Sequence, residues 1–206
     1  MAQEYAVFVE GLQDLKFSKD NEKAIRAAAS KAINKVTRDA RVRASKEIRK
    51  QVNLPARYVA PGNKNLYVSE KASPGSLQGK ITARGRPTSL ARFVRGNPRE
   101  GKAGIYVEVA PGRARFMKRA FLIRLPGLGG STDLGAANMG LAIRLRAGER
   151  LQNKVDSRRI AKGLYALYGP SVDQVFRSRD GTGVANDLVP DIEQDLSDEF
   201  IRLLEL

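Results

Sequence analysis

The stretch that decides the fold is DNEKAIRAAASKAINKVTRDARVRASKEIRKQV, residues 20–52. No glycine or proline interrupts it, and Ala, Lys, Arg and Glu dominate it, which favours helix over the whole window. Ser18 is placed to cap the N-terminus, and Asp20 and Glu22 lie where the positive end of the helix dipole favours acids. Leu54-Pro55 closes the helix, because a residue before proline avoids helical angles. Such a helix is roughly 50 Å long, against a diameter of roughly 43 Å for a compact chain of this size. One end is therefore expected to project or to lie along another subunit.

Its faces carry that expectation further. Ile25, Ala29, Ala32, Ile33 and Val36 form a narrow apolar stripe at helical spacing. From Val36 the apolar positions step by four, through Ala40, Ala44 and Ile48 to Val52, and each step drifts about 40° around the helix. The small residues let another helix approach closely, so Ala32, Val36, Ala40, Ala44 and Ile48 are candidates for a subunit interface. Lys31, Lys35, Arg38, Lys46 and Arg49 fall on the far side. That face is either solvated or turned to nucleic acid.

Composition narrows the chemistry. The 206 residues suit one domain, or one domain with an appendage, and include no cysteine and no histidine. Catalysis through Ser-His-Asp or Cys-His, and zinc sites built on those ligands, are thereby excluded. No apolar run long enough for a membrane span is present, and residues 1–4 lack the basic start of a secretory leader. The net charge is +15. Residues 187–206 hold seven acids against Arg202, so that end carries −6 and residues 1–186 carry +21. A polyanion partner for the body is one consequence. The other is an acidic helix docked on a basic surface, in the same subunit or its neighbour; Leu196 and Phe200 are its candidate contact residues.

Alternating apolar patterns predict strands over 4–9, 65–71, 77–83, 103–109, 120–125, 141–145 and 164–168. Residues 84–102 read as an extended basic loop and 126–140, interrupted by five glycines, as a mobile one. Ser171 and Gln174 fit a capping box that opens a short helix, and Pro190 opens the last one. Two long helices thus bracket a strand-rich middle, which is an α+β fold with both helices packed on a mostly antiparallel central sheet. The division expected is residues 1–186, with 187–206 as a docking helix of the same domain.

Few motifs carry chemistry. Gly127-Leu128-Gly129-Gly130 lacks the spacing of a dinucleotide loop. Arg84-Gly85-Arg86-Pro87 matches the core of minor-groove AT-hook peptides, and Arg113, Arg115, Lys118 and Arg119 cluster around Phe116. These six cations are the candidates for facing DNA, or the acidic surfaces of neighbouring subunits. Acids four apart on the last helix, such as Asp191 and Asp195, are its solvated side or, on a nuclease reading, metal ligands. No metal or cofactor is expected.

Five segments taken together resemble the prophage minor tail protein Z family, the lambda-type tail completion proteins of tailed bacteriophages. They are RKQVNLPARYV (49–59), RPTSLARFV (86–94), MKRAFLIRL (117–125), NMGLAIRL (138–145) and LYGPSVDQVF (167–176). The resemblance implies a non-enzymatic virion protein, assembled in the host cytoplasm, that completes the head-proximal end of the tail. It implies a homo-oligomeric ring, a hexamer by the symmetry of neighbouring tail components. Its partners would be the tail tube or terminator, the head-completion or connector proteins and the packaged DNA. The rival reading from the residues alone is a free nucleic-acid-binding protein without sequence preference.

Overall fold

A computed structural model describes residues 4–8, 19–125, 139–151, 157–178 and 183–204. The chain is α+β, and every strand pair among the described residues is antiparallel. The strands form three separate sheets instead of the single central sheet expected. They belong to two compact units: unit 1 is Met1–Ile48, Ala56–Gly85 and Val172–Leu206, and unit 2 is Arg49–Pro55 and Arg86–Ser171. The boundary expected at 186/187 is not where the chain divides. The last helix belongs to a unit assembled from three separate stretches.

Unit 1 is built on the long helix α1 (Lys19–Gln51), which matches the predicted span closely. It accompanies a three-stranded sheet of β1 (Glu4–Phe8), β2 (Leu66–Glu70) and β3 (Gln78–Ala83), with β3 in the middle. The apolar stripe of α1 is the core of this unit. Ala29, Ala32, Ile33, Val36, Ala40, Ala44 and Ile48 are all buried within the one chain. Ala32, Val36, Ala40, Ala44 and Ile48 are therefore not free to form a subunit interface, and the expectation is corrected. Gly79 of β3 shows how close the helix lies. A Cβ added there would stand 2.3 Å from Thr37 Oγ1 and 3.0 Å from Ile33 Cγ2. A glycine in a strand commonly marks such an approach.

Polar side chains fix the helix against the segment it covers. Asn34 donates to the Ala72 carbonyl (2.8 Å) and accepts from the Ala72 amide (2.9 Å), as a strand neighbour would. Arg41, only 5% exposed, donates Nε to the Leu66 carbonyl (3.1 Å) and Nη2 to the Val59 carbonyl. Burial lowers its pKa from the usual guanidinium value. The short helices α2 (Val172–Arg177) and α3 (Val184–Asp187) lead into α4 (Val189–Leu204).

Unit 2 contains a five-stranded sheet and a two-stranded ribbon. In the sheet, β4 (Thr88–Ser89), β7 (Ala120–Arg124), β8 (Met139–Arg144) and β10 (Leu164–Gly169) run in the order β4-β10-β8-β7. Strand β9 (Ser157–Ala161) is added on β10. The ribbon is β5 (Ile105–Val107) with β6 (Arg115–Met117). Phe93, Ile105, Val107, Ala120, Leu141 and Ala142 are buried here. Met139 and Gly140, expected in a mobile loop, begin β8 instead; residues 126–138 and Ser18 lie outside the described residues. The expected loop 84–102 likewise contains β4 and a 3-10 turn, Leu90–Phe93, which carries the buried Phe93.

Candidate nucleic-acid interface

The excess charge of +15 is divided unequally between the units. Unit 2 carries 19 Lys and Arg against 5 Asp and Glu, a net of +14. Unit 1 carries 18 against 17, a net of +1. The asymmetry read along the chain, body against C-terminus, becomes an asymmetry between units. The long basic helix lies in the nearly neutral one up to Ile48, and its last three residues, Arg49, Lys50 and Gln51, are counted with unit 2.

The neutralisation is visible in side chains. Lys35 of α1 meets Glu199 of α4 at 2.6 Å, and Arg43 meets Asp195 and, at 3.5 Å, Asp191. Helix α4 therefore sets Asp191, Asp195 and Glu199 toward α1 of the same chain, the first of the two placements expected. Leu196 and Phe200 are half-buried in that arrangement. Glu199 is almost wholly buried and also accepts from Arg202 Nη2 (2.6 Å) and Nε (3.0 Å). Those bonds from Arg202, and the one from Lys35, hold its carboxyl at a pKa of about 2.

Because the folded value lies below the ordinary glutamate value, about 4.3, this group stabilises the protein at neutral pH. Its contribution is fully present above pH ~4.5 and is lost as pH falls toward 2. Glu199→Gln is expected to flatten the acid limb of a plot of Tm against pH between those values. An unchanged acid limb would mean that the carboxylate's ion pairs do not support the docked helix.

The candidate cations separate into two groups. Arg84 is half-buried in unit 1, where its Nη1 donates to Asn65 Oδ1 (3.1 Å) and to the Tyr58 hydroxyl (3.4 Å). Arg119 grips Glu149 with both guanidinium nitrogens, at 2.7 and 2.8 Å, and donates to the Arg144 carbonyl at 2.5 Å. Glu149 also accepts from the Arg146 amide (2.7 Å), and its carboxyl is held at a pKa of about 2, first by the Arg119 bonds. Both arginines have partners within their own unit, which sets them apart from the other four candidates. Arg86, Arg113, Arg115 and Lys118 are exposed on unit 2, and no ion pair engages them among the described residues.

Strand β9 adds a cluster that the sequence reading missed. Arg158, Arg159 and Lys162 are exposed along β9 and the turn that leaves it. The signal was present: SRRIA and LYALYG flank Lys162-Gly163, a two-residue turn between strand-like runs. Gly163 has φ +70, as such a turn requires. Charge on an edge strand also guards against edge-to-edge pairing.

Exposed cations of this kind are suited to phosphate contact. Among the described residues no group of three or more acidic side chains is placed to hold a metal, and no helix is long and apolar enough to cross a membrane. No family model, no curated protein and no solved structure matches the chain.

Proposed function

We propose that this chain is a non-enzymatic structural protein of a tailed-bacteriophage virion. It would act at the head-proximal end of the tail and join head to tail around the DNA channel. The resemblance of the five segments suggests the role. The observation that carries the nucleic-acid part is the concentration of +14 in unit 2 while unit 1 is nearly neutral. DNA passing through a channel is best met by scattered Lys and Arg on phosphates, without base readout. Exposed Arg86, Arg158, Arg159 and Lys162 fit that demand.

The ring would use surfaces other than the α1 stripe. Among the described residues of unit 1 the exposed large apolar ones are Val42, Ile201 and Leu204, and they replace the buried stripe as candidates for subunit contact. Tail components and head-completion proteins remain the proposed partners.

The test has two parts. Purified full-length protein is expected to sediment as a ring-sized oligomer, and a terminal label should mark the head-proximal end of assembled tails. Duplex DNA is expected to bind at micromolar strength or weaker, with no sequence preference and a steep fall with salt. Arg158→Gln/Arg159→Gln/Lys162→Gln should lower the slope of log affinity against log salt by about 0.9 for each phosphate no longer neutralised. An unchanged slope would remove β9 from the interface. A monomer that binds duplex at nanomolar strength would instead favour the second reading, a free nucleic-acid-binding protein, which the same charge concentration supports.

A further inference from the structure

The ribbon of unit 2 shows two large aromatic side chains to solvent. Tyr106 and Phe116 are directly opposite each other across β5 and β6 and are 55% and 54% exposed. Their ring centroids are 4.8 Å apart with a 44° tilt. A cross-strand aromatic pair gains stability for a ribbon, yet it gains more when covered, and both rings keep half their surface in water. Phe116 also lies close to Gly104. A Cβ added to Gly104 would stand 3.2 Å from Phe116 Cζ, so the ring lies on bare backbone at a residue with φ +92. The pair is pre-set, and Arg113, Arg115 and Lys118, all exposed, surround it in sequence within the unit of net +14.

We infer that the β5–β6 ribbon is a binding site for single-stranded nucleic acid, with a base stacked on the Tyr106–Phe116 pair and phosphates on Arg113 and Lys118, Arg115 being on the other face of the ribbon, opposite Val107. Exposed rings with exposed cations two and three residues away in the chain match what an unpaired strand offers, a π-face and a phosphate in each nucleotide. A duplex hides its base faces, so rings would add nothing to duplex affinity. A polyanion bound only through phosphates would leave the rings without a use. This inference rests on unit 2 being a nucleic-acid surface and is independent of the chain's place in a virion.

The experiment compares two probes on the full-length protein, an oligothymidylate of about 20 nucleotides and a mixed-sequence duplex of the same length. Tyr106→Leu/Phe116→Leu is expected to weaken oligothymidylate binding about tenfold or more while duplex binding stays within about twofold. Tyr106→Phe should restore the single-strand affinity. Should the double variant unfold, Tyr106→Thr carries the same test, since an exposed strand position accepts a β-branched residue. Unchanged single-strand binding overturns the inference. So does an equal fall for both probes with a lower Tm, which would make the rings a brace for the ribbon. A changed oligomeric state with single-strand binding intact would assign the ribbon to a protein contact. Wild-type protein that binds neither probe would end the nucleic-acid reading of unit 2 itself, a result distinct from duplex binding that ignores the rings.

Discussion

Ala32→Arg is expected to unfold unit 1, and not to leave a folded subunit that fails to assemble. Ala32 is completely buried, beside Ile33 and about one turn from Ala29 and Val36, which are buried as well. An arginine there must place its side chain where the face of α1 has room for a methyl, and must bury a cation without a partner. Overpacking alone typically costs about 1–3 kcal/mol, and an unpaired buried charge adds several more. A domain of this size has about 5–15 kcal/mol in hand. Circular dichroism should show loss of the cooperative transition, or a Tm lowered by more than about 10 °C. A variant that melts like wild type but no longer assembles would return Ala32 to the subunit interface.

Arg41→Ala is the second large effect, and its mechanism is different. The guanidinium satisfies the carbonyls of Leu66 and Val59. Alanine leaves a void in place of that donor, and the Val59 carbonyl keeps only the long bond from Ser45 Oγ (3.4 Å). A buried group left unsatisfied costs about 1–3 kcal/mol, so a loss of about 2 kcal/mol in chemical denaturation is expected. Arg41→Lys should recover part of it, since one ammonium cannot reproduce the fork that reaches both carbonyls. Arg41→Met keeps much of the packing and none of the bonds. If Met matched wild type, the packing of the stem would account for the residue's contribution.

Arg41 also marks a limit of what the sequence makes legible. Long runs with one period were legible: α1, α4 and most strands lie within a few residues of their expected bounds. The four-residue stepping of the stripe was legible too, but a stripe says that a face is buried and not what buries it. The inference to a second subunit came from helix length and from the small residues of the stripe. Arg41 lies among apolar neighbours in that stripe, and its type marked it as surface. Only the carbonyls of Val59 and Leu66, brought under it by the fold, give the cation a reason to be inside. Short elements escaped for another reason. Strand β6 has three residues and begins with arginine, and β9 is charged on an edge, so neither shows an apolar alternation.

The candidate site was legible as charge and not as place. Summed along the chain, the acids of α4 oppose everything before them. Lys35 and Glu199 are 164 positions apart, and no local pattern announces that they cancel. Arg119 looked like the end of a basic cluster, but Glu149, thirty residues on, claims it. Tyr106 and Phe116 are ten apart and become a pair only through the register of the ribbon.

The division of charge also gives the two units opposite responses to dissolved salt. In unit 1, whose charges are nearly balanced and linked at Lys35–Glu199 and Arg43–Asp195, ions weaken attractions that favour the native state. In unit 2, 19 cations with 5 acids repel one another, and the same ions relieve a strain that favours unfolding. Low ionic strength therefore favours one unit and high ionic strength the other. A bound polyanion does for unit 2 what concentrated salt would do, without loosening the ion pairs that hold α4.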